Sequence, residues 1–264
     1  MNIDADKIEP LITPRTSGIL AVHVFGTPCD VEKIQKIANK YNLKVIYDAA
    51  HAFGTTINNK GIGNFGDITM FSFHPTKLFH SGEGGALTCK DQLLKKRIDL
   101  LKNFGIKNEN EVVDIGINGK MNEIQAALGL SVLEEVKDEM KKRKILLNAY
   151  HHYLEKIDGI SFIQLSQTIN NSYQYFVLRI REKEFGKSRD YVYEQLKKYN
   201  VFTRKYFNPL CSEYPHYRKL PSSKKSLLPV ANQVASEVLS MPFYGGLTVV
   251  DIEKICRILI HIKG

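Results

Sequence analysis

Hydrophobic and polar positions along the first hundred residues follow two alternating periods. Residues 17–24 form a short run rich in β-branched side chains, the pattern of a buried strand. After Gly26 and Pro28, Asp30 offers a helix N-cap, and Val31, Ile34, Ile37, Ala38 and Tyr41 follow at helical spacing until Asn42. Residues 43–47 predict a second strand ending at Asp48. Residues 67–73 predict a third, stopped at His74-Pro75 where proline cannot continue a ladder, and 86–89 predict a fourth. Strand, helix and strand with short connections make a βαβ unit, hence a mainly parallel sheet covered by helices. From about Met121 to Leu154 one long helix is expected, with Ile124, Ala127, Leu128, Leu130, Leu133 and Val136 recurring on one side. Beyond it, 173–180 is strand-like, 189–199 helical and 249–262 an amphipathic helix, while 219–225 is polar, basic and expected to be a mobile loop. The expected organisation is a larger α/β domain over residues 1–136 and a smaller α+β domain over residues 137–264, reached through the long helix.

Composition narrows the class without changing this outline. With 43% apolar and 25% charged residues in 264, the chain has the proportions of a soluble globular protein, which excludes a disordered tail, a collagen-like repeat and a small disulfide scaffold. No run approaches the roughly 20 apolar residues of a membrane span. The segment Met1-Asn2-Ile3-Asp4 lacks a hydrophobic signal core. Cys29, Cys89, Cys211 and Cys256 are far apart with no C-x-x-C, against a zinc site and against a disulfide framework. A cytoplasmic, reduced protein without a metal is the expectation. The net charge is 37 − 28 = +9, but the densest basic cluster, residues 141–144, follows Glu134, Glu135, Asp138 and Glu139. Mixed signs at that spacing describe a solvated helix face, so no nucleic-acid partner is expected.

Two groups of residues invite a chemical reading. Residues 61–66 match G-x-G-x-x-G, yet a strand-like segment follows where a phosphate-binding helix should begin, so the match reads as a glycine-rich loop. The second group is Asp48, His51, Ser72 and Lys77. Asp48 closes one parallel strand, where open α/β sheets place ligands, and Lys77 follows the next. An acid and a lysine there make either a structural ion pair or a pyridoxal phosphate site. In the latter, the lysine forms the Schiff base and the carboxylate holds the protonated pyridine nitrogen.

The motifs Asp48-Ala49-Ala50-His51-Ala52-Phe53-Gly54, Phe71-Ser72-Phe73-His74-Pro75-Thr76-Lys77, Gly82-Glu83-Gly84-Gly85-Ala86, Gly116-Ile117-Asn118-Gly119-Lys120-Met121-Asn122-Glu123 and Arg204-Lys205-Tyr206-Phe207-Asn208-Pro209-Leu210 together resemble the DegT/StrS family of sugar aminotransferases, over essentially the whole chain. The resemblance implies the fold type I aminotransferase architecture: here a partial, mainly parallel large-domain sheet plus a smaller α+β C-terminal domain. It implies pyridoxal 5′-phosphate as cofactor, a nucleotide-linked keto sugar as substrate, glutamate as amino donor, and a homodimer with a shared site. Carried over by motif, Lys77 is the Schiff-base lysine and proton shuttle, Asp48 the partner of the pyridine nitrogen, and His51 a contact to the ring or its 3-oxygen. Ser72 is a phosphate ligand, and Asn118 reaches the cofactor phosphate of the neighbouring subunit. His23, Arg204 and Tyr206 are expected substrate contacts, and the 204–210 stretch is most like enzymes that aminate position 4 of thymidine-diphosphate-linked 4-keto-6-deoxy sugars for surface polysaccharides.

The family pattern is entered partway through, on the order of a hundred N-terminal residues late, so an N-terminally truncated member is expected. The alternative is a non-catalytic fragment or interaction subunit of the same fold. Among the remaining histidines, His80 is expected near the crevice, His151 and His152 at the surface of the long helix, and His216 and His261 have no metal-like companions.

Overall fold

The computed structural model describes residues Met1–Gly264, which form two compact units. One comprises Asn2–Lys137 and Ser166–Gln174, the other Asp138–Leu165 and Tyr175–Gly264 with Met1.

A four-stranded sheet carries the first unit. Strand β1 (Gly18–Val22) pairs parallel with β2 (Lys44–Asp48), β2 parallel with β3 (Ile68–Ser72), and β3 antiparallel with β4 (Gly85–Cys89). Helix α1 (Val31–Tyr41) starts where the Asp30 carboxylate accepts the Lys33 N–H at 3.0 Å and stops at Asn42, whose φ of 52° takes the left-handed turn that ends many helices. Its Ile34, Ile37 and Ala38 pack with Ile19, Ala21, Val45 and Tyr47 into one core. Each fully buried aliphatic side chain there contributes roughly 1.5–3 kcal/mol relative to exposure. These elements lie within one or two residues of their predicted bounds.

The glycine-rich loop is indeed a loop. A two-residue strand (Lys60–Gly61) and a 3-10 turn (Ile62–Asn64) lead straight into β3. At Gly66, with φ +71°, a Cβ would lie 2.9 Å from the Tyr47 ring and from the Val45 carbonyl oxygen. Packing therefore requires that glycine. Helix α2 (Gln92–Leu101) follows β4, then the exposed hairpin of Ile106–Asn108 and Glu111–Val112. Helix α3 (Glu123–Leu154) contributes residues through Lys137 to this unit.

In the second unit β5 (Ile160–Phe162), β6 (Val177–Ile180) and β7 (Val238–Ser240) form an antiparallel sheet with β6 central. Tyr150 and Leu154 of α3, Leu196 of α4 (Arg189–Lys198), Ala235 of α5 (Pro229–Glu237), and Ile252 and Leu259 of α6 (Val249–Lys263) fill its core. Two expectations need correction. The strand expected over 173–180 shortens to Val177–Ile180, because Ser166–Gln174 belongs to the first unit and Tyr173 has φ +54°. The 219–225 stretch is a loop, with short 3-10 turns at Pro221–Ser223 and Lys225–Leu227. His151 is half-buried, not at the surface: its ring stacks on Phe162 at 4.3 Å, and burial lowers its pKa. No helix is long and apolar enough to cross a membrane.

Candidate active site

The strand period builds the site. In β2, Val45 and Tyr47 turn into the core, which leaves Asp48 half-buried at the strand's C-terminal end. Its carboxylate oxygen accepts the Ala50 N–H at 2.9 Å, fixing its direction. Beyond β3 the chain turns through His74–Lys77, closed by the Lys77 N–H to the His74 carbonyl at 2.9 Å, and Lys77 comes to rest half-buried. Burial lowers the pKa of Lys77, and the negative charge of Asp48 works in the opposite direction. Burial also holds His51 at about 4, with the positive charge of Lys77 adding to the effect. Amine, carboxylate and imidazole therefore share one electrostatic environment. Asp48 ends β2 and Lys77 follows β3, its neighbour in the sheet, and the Asp48 charge reaches Lys77.

Ser72, the last residue of β3, lies opposite Gly85 in the ladder, and its Oγ accepts the His74 N–H at 3.4 Å. It lines a cleft of about 960 Å³ together with Gly85, Lys95, Lys102, Lys120 and Met121. Asn118 is exposed, bridged to Asn103, and its side-chain oxygen accepts the Lys120 ammonium at 2.7 Å.

The remaining expected contacts are His23, Arg204 and Tyr206. His23 is wholly buried, so its ring is not open to a substrate, although its main-chain N–H donates to the Asp48 carbonyl at 2.9 Å. Its ring stacks on Tyr47 at 4.7 Å, and its Nδ1 accepts the Cys29 N–H at 3.0 Å, so the chain after β1 closes over it. Burial holds it neutral, at about 4. Arg204 and Tyr206 belong to the second unit. The Arg204 backbone pairs with Ser240 and its side chain is exposed, while Tyr206 packs edge-on to Tyr175 at 5.9 Å and stacks on Phe207 at 4.8 Å.

Two residues that sequence reasoning missed touch the backbone of the site. Ser172 Oγ donates to the His51 carbonyl at 3.0 Å, and the Gln174 amide bonds the main chain on both sides of Lys77. Their segment alternates like a strand, so nothing in its spacing signals this.

Comparison with known proteins fits this arrangement. An Escherichia coli protein named dTDP-4-amino-4,6-dideoxy-D-glucose transaminase is 47% identical over 262 residues, covering 98% of the chain and 70% of its own length. A Shigella dysenteriae protein of the same name is 40% identical over 257 residues, covering 97% of the chain and 69% of its own length. The crystal structure of DesI with its TDP-sugar product superposes with a TM-score of 0.89 at 33% identity, over 99% of this chain and 66% of that one. The chain thus spans about two thirds of the length of these relatives. The architecture is that of the fold type I aminotransferases, with a mixed large-domain sheet and a smaller antiparallel one. The model of the DegT/DnrJ/EryC1/StrS aminotransferase family matches residues 1–260, and the chain belongs to that family.

Proposed function

We propose that the chain is a pyridoxal 5′-phosphate-dependent sugar aminotransferase that moves an amino group from glutamate to a nucleotide-linked keto sugar, a dTDP-4-keto-6-deoxyhexose, for surface polysaccharide synthesis. The observation that carries this reading is the half-buried Lys77, on the turn after β3 and within electrostatic reach of both Asp48 and His51, at the family's motif positions. The name of the 47%-identical relative supports the sugar and the carbon.

The donor set suits the cofactor. When bound, pyridoxal phosphate supplies an aldehyde for an amine to bond and a protonated ring that draws electron density from the substrate. Lys77 supplies the amine. Its burial favours the unprotonated form that a nucleophile and proton carrier needs near neutral pH. Asp48, held by the Ala50 N–H, presents a carboxylate oxygen to a ring N–H. His51 is neutral and offers a flat contact without adding a second positive charge beside the amine. Ser72 Oγ binds the phosphate. Asn118 reaches the phosphate of a second subunit in a homodimer, a reading supported by the exposed apolar residues on either side of it, Ile115, Ile117 and Ile124. A net charge of +9 favours the anionic diphosphate of the substrate. Four free cysteines are consistent with a reducing cytoplasm.

Addition of pyridoxal phosphate, borohydride reduction and peptide mapping test the assignment. One adduct is expected, on Lys77, absent in Lys77→Ala and at least tenfold weaker in Asp48→Ala, on the order of the 1.4 kcal/mol that a tenfold change represents. A chain that forms no adduct at position 77 rules the reading out.

A further inference from the structure

The reactive groups lie within residues 48–77, yet a segment that follows them by 96 to 121 positions fastens their main chain. Residues 166–174 cross the first unit as a strap. Its start pairs with the short strand Thr56–Ile57 of a small separate sheet, Ile169 opposite Ile57 and Asn170 opposite Thr56, and the Asn58 N–H donates to the Thr168 carbonyl at 2.9 Å. A turn follows, in which Asn171 Oδ1 accepts the Tyr173 N–H at 2.6 Å and Tyr173 takes φ +54°.

The two residues flanking that turn side chain face the site's backbone. Ser172 is wholly buried. Its N–H donates to Thr55 Oγ1 at 3.1 Å and its hydroxyl to the His51 carbonyl at 3.0 Å. The approach is so close that a Cβ on Gly26, at φ +81°, would lie 2.6 Å from the His51 carbonyl oxygen and 2.8 Å from Ser172 Oγ. Gln174 is 5% exposed. Its Nε2 donates to the Thr76 carbonyl at 2.9 Å and its Oε1 accepts the Leu78 N–H at 2.5 Å. One side-chain amide thus satisfies both peptide groups that bracket Lys77, as a neighbouring strand would. Without it, the buried Leu78 N–H and the partly buried Thr76 carbonyl both lose their partner, and the buried donor can recover one only by moving toward water.

We propose, resting on the reading of Lys77 as the amine that bonds the cofactor, that the 166–174 strap is the positioning device of this site: Gln174 fixes the main chain on both sides of Lys77, and Ser172 fixes that of His51. One segment then sets the separation of amine and imidazole. Gln174 touches neither substrate nor cofactor in this scheme; it acts through Lys77. Releasing it lets the loop open and the ammonium reach solvent. Burial is the largest influence that lowers the pKa of Lys77, with Asp48 and His51 the titratable groups around it, so release moves that pKa up.

The test is trace labelling of the full chain with acetic anhydride across pH 6 to 11, without cofactor, reading Lys77 against Lys36, an exposed lysine on α1. Gln174→Met keeps the length and removes both bonds. Gln174→Asn is neutral and one methylene too short to reach both Thr76 and Leu78, and it decides the matter if the methionine variant does not fold. In either folded variant the Lys77 profile is expected to move up toward that of Lys36, with labelling at neutral pH falling about three- to tenfold. Leu154→Ala, which weakens the other unit, is expected to leave the profile where it was. The same proteins are also loaded with pyridoxal phosphate and trapped with borohydride. Folded Gln174 variants that label and trap like the parent overturn the proposal alone. A parent chain that labels as expected but never traps cofactor at Lys77 overturns the underlying reading, and the proposal with it.

Discussion

Helix α3 has two halves with similar apolar spacing and opposite fates. In the second half Leu146, Ala149, Tyr150 and Leu154 are buried, with Tyr150 stacked on Phe176 at 4.2 Å and its hydroxyl donating to the Pro242 carbonyl at 2.8 Å. In the first half Ile124 is 82% and Leu130 68% exposed, and Ile115 just before it is 91% exposed. The half that faces Phe162, Phe176 and Phe243 is part of a packed core. The other presents a row of large apolar side chains to solvent, the kind of surface associated with interaction sites. Periodicity states that a face is suited to burial; it does not state what covers it.

The widest contrast between the halves is in stability. Leu154→Ala is expected to cost about 2–5 kcal/mol through lost transfer energy and a residual cavity, whereas Leu130→Ala is expected to stay within about 0.5 kcal/mol. Urea denaturation of both variants measures this, and equal costs would abolish the contrast. A charge probe comes next, from the first unit's own packed interior. His23 is held at about 4 when folded and titrates near 6.5 unfolded. Between those values the unfolded chain binds the proton and the folded chain does not, so stability falls as pH drops from about 6.5 to about 4, then levels off. The contribution is at most about 3 kcal/mol, and His51, also held at about 4, acts in the same window. His23→Asn, whose side-chain oxygen can accept the Cys29 N–H in place of Nδ1, is expected to remove the His23 part, as read by urea midpoints from pH 4 to 7. At the junction of the two halves, Glu139 accepts Arg143 Nε at 2.6 Å and the Gly245 N–H at 2.8 Å. Glu139→Ala is expected to cost about 2–3 kcal/mol, less than a fully buried pair because the carboxylate is partly open to water. Arg143→Ala measured in the same double-mutant cycle gives the coupling. The smallest effect belongs to α1, whose partner is present in the chain. Asp30→Ala removes its N-cap at about 1 kcal/mol, seen as a shift of the thermal midpoint.

What was legible in the sequence was local. Asp30 and Asn42 bracket α1, alternation marks β2 and β3, and Asp48 and Lys77 could be read as neighbours because each follows the end of an adjacent strand. What was not legible depends on parts of the chain meeting from afar. His23 at a strand end resembles a crevice residue until the Tyr47 ring and the Cys29 amide close over it. The stretch around Tyr173 reads as a strand, but its left-handed residue and the bonds of Ser172 and Gln174 bind it to the first unit. His151 resembles a surface histidine until Phe162 stacks on it.

The order of the chain gives the strap a consequence during synthesis. All four strands of the main sheet have left the ribosome before residue 166 is translated, so they can pair while the loop bearing Lys77 is still unfastened. In the proposed arrangement the Lys77 amine is put in place late, by a long-range contact that the growing polypeptide makes slowly. A nascent chain that stalls short of Gln174 has its strands but not its tool, and its lysine behaves as an ordinary one.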